Sequence, residues 1–488
     1  MRHAGELMMG GVVCAMLVSC AVTPPYEQPE IGANIPEMWG AEHLAEHISA
    51  GWIASFGDEK LNQVVVEALK SNHNLKVTAA RLGEAREDAV IAGAGMIPQI
   101  DLSTGGGKAQ TLSRNDFSDD SFDGFIRSRS TSLGLSLDVS WELDVWGRIR
   151  YGQEAAIAEI QASGSDYLGA ELSLAAQTAK AWFAATEAML QLELAKKTVN
   201  SRNQTSELVL GRFKRGIAET LDVHLARSDE ASAEALVESA EIDVKITLRD
   251  LEVLLGRYPS GVVEVAPDLT AVPPPIPVGV PADVLQRRPD LIAAERRVAS
   301  AIKLRSEAKV ARLPRISLTA SGGTSSDALM DLVDPKYNVW NFAVNLLTPI
   351  IDGGRLSAEA RKADKQVQAA VANYGNTALT AFNEVETALT NERRLRTQEE
   401  RLILAEKELS EALRLAQDRY TQGLEDILLV LDTERRTLTA KRELLTIRRI
   451  RLQNRVDLHL ALGGDFRTEE NKVDPRVYNP SIELRDYL

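Results

Sequence analysis

A gapless internal repeat constrains the fold of this sequence more than any other feature. The segment from Asn74 to Gly107 aligns without a gap on the segment from Asp290 to Gly323, so that Pro98 falls on Pro314. The strings LDVWGR, RFKRG and VLLGR of the first half correspond, in the same order, to IDGGR, RYTQG and LALGG in the second. The repeat indicates that one structural unit occurs twice in the chain. Each copy is predicted to contain, in order, a helix, two strands, a long helix, a turn and a second helix.

Very long helices are the second constraint. Helical patterns without proline run from Tyr151 to about Gly211 and from Arg355 to about Arg419. At 1.5 Å per residue each reaches about 90 to 95 Å, which no ordinary globular domain requires. In the first half the shorter helices, Asn74 to Gly95 and Leu221 to Leu255, match that length when placed end to end. Small residues, mostly alanine, cover more than one face, which favours helical neighbours on both sides over an isolated two-stranded coiled coil.

Strand patterns precede each long helix. Apolar and polar residues alternate from Ser132 to Leu143 and, less cleanly, from Trp340 to Leu347, and a shorter stretch before each marks a partner strand. A soluble sandwich is one possibility, but strands of about ten to twelve residues suit a tilted membrane strand better. Trp141 and Trp146 are then expected near a membrane interface. Because four strands cannot close a barrel and an open edge in lipid is forbidden, the sequence predicts an oligomer.

The start of the chain has the features of a targeting segment. Arg2 and His3 precede an apolar run from Met8 to Val18, which Cys20 follows closely. The ending LVSC resembles a bacterial lipobox, in which Cys20 is acylated after cleavage; an ordinary secretory signal with an incidental cysteine is the alternative. Cys14 is lost on cleavage, so the mature chain is expected to form no intramolecular disulfide. The sequence therefore predicts export and a lipid anchor at Cys20.

Charge and motif searches exclude other functions. A formal net charge of −14 argues against nucleic-acid binding, which needs clustered lysine and arginine. The string HLAEH, from His43 to His47, has the spacing of some zinc hydrolases, but no third ligand can be identified. The string GGGK at Gly105 lacks the first glycine and the hydroxyl residue of a P-loop and is predicted to be a barrel strand ending in a loop. We predict no catalytic residue, metal or cofactor, and a zinc hydrolase is a remote alternative.

Several strings resemble the outer membrane factor family, the TolC-like and NodT-type efflux lipoproteins. They are LVSCAVTPPYEQP after the signal, SWELDVWGRIR at Ser140, VPADVLQRRPDL at Val280 and TPIIDGGR at Thr348. The resemblance covers nearly all of the chain and implies a mainly α fold with membrane β structure. It implies a homotrimer in which each protomer gives four strands to a twelve-stranded β-barrel, continued by a long periplasmic α-helical barrel. The polar stretch from about Ser113 to Ser130 departs from the family pattern and is predicted to be a longer extracellular loop.

The resemblance also implies a function and a location. It implies a passive duct in the outer membrane, in contact with lipid, which exports drugs or other small molecules. The expected partners are an inner-membrane transporter, which belongs to an efflux or secretion system, and the periplasmic adaptor that connects it to the duct. A periplasmic adaptor-like lipoprotein is the alternative, but it should show one helical hairpin flanked by soluble β domains.

These features divide the chain into six parts. We expect a signal peptide (1–19), an N-terminal anchor and equatorial segment (20–73), a first repeat (74–257), a proline-rich equatorial linker (258–289), a second repeat (290–464) and a C-terminal equatorial tail (465–488).

Two turns are the expected docking site for the adaptor. They run from Arg212 to Gly216 and from Arg419 to Gly423, where the long helices end and the tunnel is farthest from the strands. Glycine at these positions permits a tight reversal between antiparallel helices.

A gate is expected just past the second turn. Leu428 to Leu431 are four consecutive apolar residues, and a helix cannot bury all four on one side. Leu428 and Asp432 are one turn apart and share a face. The resemblance implies an apolar ring and an acidic ring at these two positions, closing the periplasmic mouth, although Leu429 occupies the family's other acidic position. The alternative is that Asp432 pairs with Arg435 or Arg436 on a solvated face.

Overall fold

Helices make up most of the chain in the computed structural model, which describes residues 36, 38–40, 51–114, 125–276 and 278–467. In chain order they are α1 (Glu59–Ser71), α2 (His73–Gly93), α3 (Arg148–Lys214), α4 (Thr220–Leu254), α5 (Pro281–Arg287), α6 (Pro289–Val310), α7 (Arg355–Thr421) and α8 (Ile427–Ala461). None of these described helices has an apolar stretch long enough to cross a membrane.

Four strands form one antiparallel sheet in the order β1-β2-β3-β4. They are β1 (Gln99–Arg114), β2 (Phe125–Leu143), β3 (Arg315–Ser326) and β4 (Asn338–Leu347). The register places Leu102 opposite Leu137 and Ser103 opposite Ser136, so one face of this hairpin is apolar and the other polar. The strand predicted from Ser132 to Leu143 is confirmed as the second part of β2.

The first hairpin is longer than predicted. β1 has 16 residues and β2 has 19, and Gly105–Gly107 pair with Ser132–Gly134 in the middle of the ladder. The prediction that the strand ends in a loop at GGGK was therefore wrong. Pairing continues to Arg114 opposite Phe125. Both ends of the stretch predicted as a loop, Ser113 to Ser130, are therefore strand. Between Gly105 and Arg114 the only large apolar residue is Leu112, so the sequence there shows no alternation, and backbone pairing extends the strand without it.

The predicted long helices are confirmed. α3 and α7 each contain 67 residues, which corresponds to about 100 Å at 1.5 Å per residue. Sequence periodicity did not indicate α1 or α5, which fall in the predicted anchor segment and linker. Asp58 caps α1 by accepting a hydrogen bond from Leu61 N at 3.0 Å. Pro281 opens α5, because its fixed φ suits the first helical position.

The hairpins α3–α4 and α7–α8 have matching bounds. Each bound of the second hairpin lies 207 residues after the same bound of the first, from Arg148 to Arg355 at the start and from Leu254 to Ala461 at the end. Residues 207 apart therefore occupy equivalent positions in the two hairpins.

The chain divides into two compact units. Gly83–Ile160 and Glu295–Ala372 belong to the unit that contains the sheet. Gln161–Ala294 and Asn373–Leu488 belong to the other unit, whose described part contains the main hydrophobic core. That core is built largely from buried aromatic and aliphatic side chains, including Trp52, Phe56, Trp182, Phe183, Leu251 and Leu452.

Candidate functional sites at the helix turns and in α8

The turns that join α3 to α4 and α7 to α8 share one backbone geometry. Gly216 and Gly423 have φ values of 72° and 76°, the left-handed region that favours glycine. In both turns the glycine and the residue after it donate to carbonyl oxygens of the preceding helical turn, at 2.8 to 3.0 Å. These are the bonds of a Schellman motif, so the predicted tight reversal at both glycines is confirmed.

Each turn presents an uncovered aliphatic side chain. Ile217 and Leu424 directly follow the two glycines and are 60% and 64% exposed. In a Schellman motif this position usually packs on an apolar residue of the last helical turn. Because both side chains remain mostly in solvent, each turn offers an apolar surface to a partner.

The predicted docking arginines have different surroundings. The guanidinium of Arg212 lies 4.7 Å from the ring centre of Tyr420 and donates to the Tyr420 carbonyl oxygen at 3.0 Å. Arg419 instead pairs with Glu425, beside its own turn, at 2.9 Å. Arg212 thus joins the two turns, a role that the sequence did not indicate, whereas Arg419 stabilises only the second.

As expected, the four consecutive apolar residues at the start of α8 are not all buried. Leu428 is 51% exposed and Leu429 45% exposed, whereas Val430 and Leu431 are buried. Asp426 caps the helix by accepting a hydrogen bond from Leu428 N at 3.1 Å. The buried pair holds α8 against its neighbours and leaves the other two leucines at the surface.

Asp432 forms an ion pair within the single chain. Its carboxylate accepts a hydrogen bond from Arg435 at 2.6 Å; the Arg435 side chain is mostly exposed and that of Asp432 about half exposed. This contact agrees with the alternative of a surface ion pair. A pair of this kind contributes only about 0 to 1 kcal/mol, so it does not hold Asp432 in one place.

A buried ion pair that the sequence did not indicate lies farther along α8. Arg202 on α3 contacts Glu434 at 2.7 Å and Asp229 on α4 at 2.9 Å. Burial raises the pKa of the Glu434 carboxyl, and Arg202 opposes that rise. The cluster joins three helices near the turns. Charged residues in a helical pattern usually indicate a solvated face, which is why sequence reasoning missed it.

The WELDVWGR string is a structural junction. Asp144 accepts hydrogen bonds from two backbone N–H groups in the first turn of α3 at 2.9 and 3.0 Å. Arg148 makes two bonds of 3.0 Å to Glu142. The indole N–H groups of Trp141 and Trp146 donate to backbone carbonyl oxygens at 2.9 and 2.7 Å. The motif therefore fixes the connection between β2 and α3.

The RRPDL string fixes the end of the linker. Arg288 makes two hydrogen bonds to Asp290, at 3.0 and 2.7 Å. It also donates to Glu384 on α7 at 2.7 Å and to the carbonyl oxygen of Ala461 at 3.0 Å. Burial would lower the pKa of Arg288, but the bonds to Asp290 and Glu384 keep it raised.

A buried carboxylate fixes the beginning of the linker. Glu252, at the end of α4, accepts hydrogen bonds from Gly261 N at 2.6 Å, Val262 N at 3.1 Å and the Ser260 hydroxyl at 2.8 Å. Burial alone would raise the pKa of Glu252, but these hydrogen bonds outweigh it and hold the pKa below its usual value.

The middle of the linker is bound by Arg455 of α8. This side chain is fully buried. It donates to the carbonyl oxygens of Pro273, at 2.8 Å, and Pro274, and to Glu392 on α7 at 2.5 Å. Proline keeps its carbonyl oxygen as a hydrogen-bond acceptor although it has no N–H group. The linker is thereby attached to the α7–α8 hairpin.

Some predicted residues lie outside the described part of the chain. These are Cys20, His43 and His47. Within the described residues, no group of histidine, cysteine and acidic side chains could hold a metal ion.

Comparison with known proteins identifies the family. The family model described as outer membrane efflux protein matches residues 64–257 and 280–464. This chain belongs to the outer membrane efflux protein family. It is an outer-membrane channel component of an efflux system, with a periplasmic extension, as the resemblance implied.

Relatives and solved structures agree with this assignment. The chain is 31% identical to outer membrane protein OprJ of Pseudomonas aeruginosa, over 93% of this chain and 95% of the relative. It is 30% identical to the probable efflux pump outer membrane protein TtgC of Pseudomonas putida, over 97% and 98%. Its fold matches the open state of the MtrE outer membrane channel of Neisseria gonorrhoeae with a TM-score of 0.79 and 28% identity, covering 92% of this chain and all of that one.

Proposed function

We propose that three copies of this efflux protein form one continuous duct for drugs or other small molecules. Each copy gives its four strands to a twelve-stranded barrel and its long helices to a periplasmic helical barrel. The main observation behind this proposal is that the four-stranded sheet is open. Its edge strands β1 and β4 leave backbone groups without partners in the described chain, which lipid does not tolerate. Exposed apolar side chains on one face, among them Leu102, Phe342 and Val344, suit contact with lipid.

Conductance through a planar bilayer tests the duct. The purified protein should insert as a trimer and give discrete single-channel currents, because only a closed barrel offers an aqueous path. An adaptor-like lipoprotein would bind the bilayer through its lipid and give no channel currents. A trimer that inserts but never conducts, in the wild type and in gate variants alike, would overturn the proposal.

The proposed partners are a periplasmic adaptor and an inner-membrane transporter. A passive duct supplies no energy, so transport must be driven by a separate pump. The names of the relatives support an efflux system, since TtgC is described as an efflux pump component and CusC of Escherichia coli as a cation efflux system protein. The six-part division of the chain forms part of this proposal. In it, residues 258–289, which include the short helix α5, and residues 465–488 form a belt outside the long helices.

The proposed docking surface is the pair of helix turns, with Ile217 and Leu424 at its centre. Changing both to serine should abolish most drug resistance, because the adaptor loses two apolar contacts while the exposed positions leave folding unchanged. Resistance is measured as the minimal inhibitory concentration in cells that lack their own channel. Val262→Ser is the matched control, an equally exposed aliphatic residue in the linker.

Variants of the two turn glycines test the same docking surface by changing the shape of the turns. Bulky residues at Gly216 and Gly423 should leave the trimer and barrel assembled yet remove resistance, since a left-handed φ is strained for any residue with a Cβ. Full resistance in both the serine and the glycine variants would show that the adaptor does not dock at these turns.

The proposed lipid anchor is Cys20. Cys20→Ser should abolish incorporation of labelled palmitate, because the sulfur that carries the lipid is gone. The matched control is Ser19→Ala, which leaves the cysteine in place and should still be labelled. The trimer can still insert through its barrel, so labelling and not export is the readout. Palmitate incorporation that persists in Cys20→Ser would exclude this residue as the anchor.

A further inference from the structure

The apolar face of the sheet ends at a definite level. On β2 every second residue from Leu143 back to Leu133 is apolar. At about 3.4 Å per residue this run spans about 34 Å along the strand, which is about 26 Å along the membrane normal for a strand tilted by about 40°. The apolar band of a membrane barrel is about 25 Å tall. Leu133 pairs with Ser326, the last residue of β3, so the band and β3 end together.

β1 and β2 continue as a hairpin beyond this level, and their charges lie on the apolar face. Alternate residues of a strand share a face, so Arg127 and Arg129 lie on the face of Leu133. Lys108 joins them, because it pairs with Thr131, which also lies on that face. We call Lys108, Arg127 and Arg129 the basic rim. The opposite face of the same stretch has only neutral residues in the described part of the chain, namely Gly107, Ala109, Thr111, Ser128 and Ser130.

The side chains of the basic rim are exposed and free to bind an anion. Within the described residues none of the three forms an ion pair. Arg129 donates to Gln110, its partner across the hairpin, at 2.9 Å, which confirms that these two side chains share a face. The rim extends about 14 Å along the strands. A purely basic patch is unusual in a chain whose net charge is −14.

A short 3-10 helix between β3 and β4, Leu329–Val333, adds apolar surface at the same level. The Thr324 hydroxyl donates to the Leu332 carbonyl oxygen, and the Ser326 hydroxyl donates to Asp331, both at 2.8 Å. The register of β2 and β3 places both hydroxyls on the apolar face, so the helix folds over that face. Its most exposed aliphatic side chains, at 70 to 83%, are Leu329, Met330 and Val333.

We propose that the basic rim binds the phosphate groups of lipopolysaccharide in the outer leaflet. The inference rests on the proposed barrel, whose lipid-facing side is the apolar face of the sheet. The helices continue from the other ends of the strands and are periplasmic, so the rim lies at the outer surface. Lys108 is about 5 Å and Arg127 about 16 Å above the end of the apolar band.

The chemistry of the rim fits this lipid at two levels. Lipid headgroups lie directly above the hydrocarbon layer, where lysine and arginine form strong charge-assisted hydrogen bonds with phosphate oxygens. The aliphatic side chains of the 3-10 helix lie beside the end of the apolar band, where they contact acyl chains. A lipid with several phosphates engages the rim better than one with a single phosphate.

Lipid titrations monitored by native mass spectrometry test the rim in the full-length trimer. The probes are bisphosphorylated lipid A, its monophosphorylated form and phosphatidylglycerol. The wild type should bind bisphosphorylated lipid A most tightly, and high salt should weaken that binding. Changing Lys108, Arg127 and Arg129 to threonine should lower the affinity about fivefold for each cation removed.

A face exchange is the matched control. Arg127→Ser and Arg129→Ser are combined with Ser128→Arg and Ser130→Arg, which keeps composition and net charge but moves both cations to the opposite face. This variant should bind lipid A as weakly as the double serine variant. Arg127→Lys with Arg129→Lys keeps the charge on the original face and should retain the preference for lipid A.

Two results would overturn the proposal. Unchanged lipid A affinity in the serine and face-exchange variants would exclude the rim as the binding site. That result is expected if the acidic residues between β1 and β2, which lie outside the described residues, neutralise the cations; they are Asp116, Asp119, Asp120 and Asp123. Equal wild-type affinity for phosphatidylglycerol and lipid A would exclude lipopolysaccharide as the specific partner.

Bilayer currents separate the rim from the duct. All these variants should conduct like the wild type, because the rim lies on the outside of the proposed barrel. Normal currents without a preference for lipid A would exclude the rim and leave the duct standing. A wild-type protein that forms no channels would remove the barrel and the rim together.

Discussion

The double change Leu428→Ala and Asp432→Ala is expected to raise single-channel conductance from a small closed level to a large, steady one. Leu428 is half exposed at the start of α8, and Asp432 follows one turn later. In the proposed trimer three copies of each would meet near the axis, where they form an apolar ring and an acidic ring. Removing both leaves nothing at these levels to narrow the tunnel, so cells should also admit large antibiotics.

A matched variant separates the gate from a general effect of lost side chains. Leu415 and Glu411 on α7 are likewise one turn apart, and Glu411 pairs with Arg414 at 2.7 Å, as Asp432 pairs with Arg435. Leu415→Ala with Glu411→Ala should leave the conductance unchanged. If the α8 variant assembles and conducts no better than the wild type, Asp432 is a surface residue whose partner is Arg435.

The largest expected loss of stability comes from Arg455→Ala. Removing this buried cation leaves Glu392 without its ion-pair partner and two proline carbonyl oxygens without this donor. Breaking a buried ion pair from one side costs about 3 to 5 kcal/mol. The melting temperature in detergent should fall, and proteolysis should cut the released linker near Pro273 at lower temperature than in the wild type.

Arg435→Ala is the comparison for that loss. Its ion pair with Asp432 lies on the surface, so removing it should cost about 0 to 1 kcal/mol. Equal melting temperatures for the two variants would show that the linker is held by contacts other than those of Arg455.

Sequence periodicity predicted the parts of the fold that repeat over many residues. The strand from Ser132 to Leu143 was found from its alternation, and the long helices from about sixty residues of helix-forming sequence without a proline. The extension of β1 through Gly105 to Arg114 was not, because its residues do not alternate between apolar and polar and pairing of the backbone decides where it ends. α1 was missed because its apolar face is short, although Asp58 is a recognisable cap.

The candidate sites were only partly predictable. Glycines in turns with a left-handed φ have a strong sequence signal, and the turns at Gly216 and Gly423 were predicted from it. Their role in docking stays a prediction. Arg212 and Tyr420 are far apart in the chain, so no local sequence pattern predicts their contact. The role of Asp432 stayed open, since an acidic side chain on an exposed face fits both a ring and a surface pair.

The two turns have one backbone geometry but different side chains, and this bears on stoichiometry. The proposed trimer would display six turns, three with Arg212 bound to a neighbouring tyrosine ring and three with Arg419 bound to an acidic neighbour. A partner that binds the backbone geometry of the turns would find six equivalent sites. A partner that binds these side chains would find two kinds of site, three of each. The number of adaptor copies that bind one trimer would therefore tell which of the two the partner recognises.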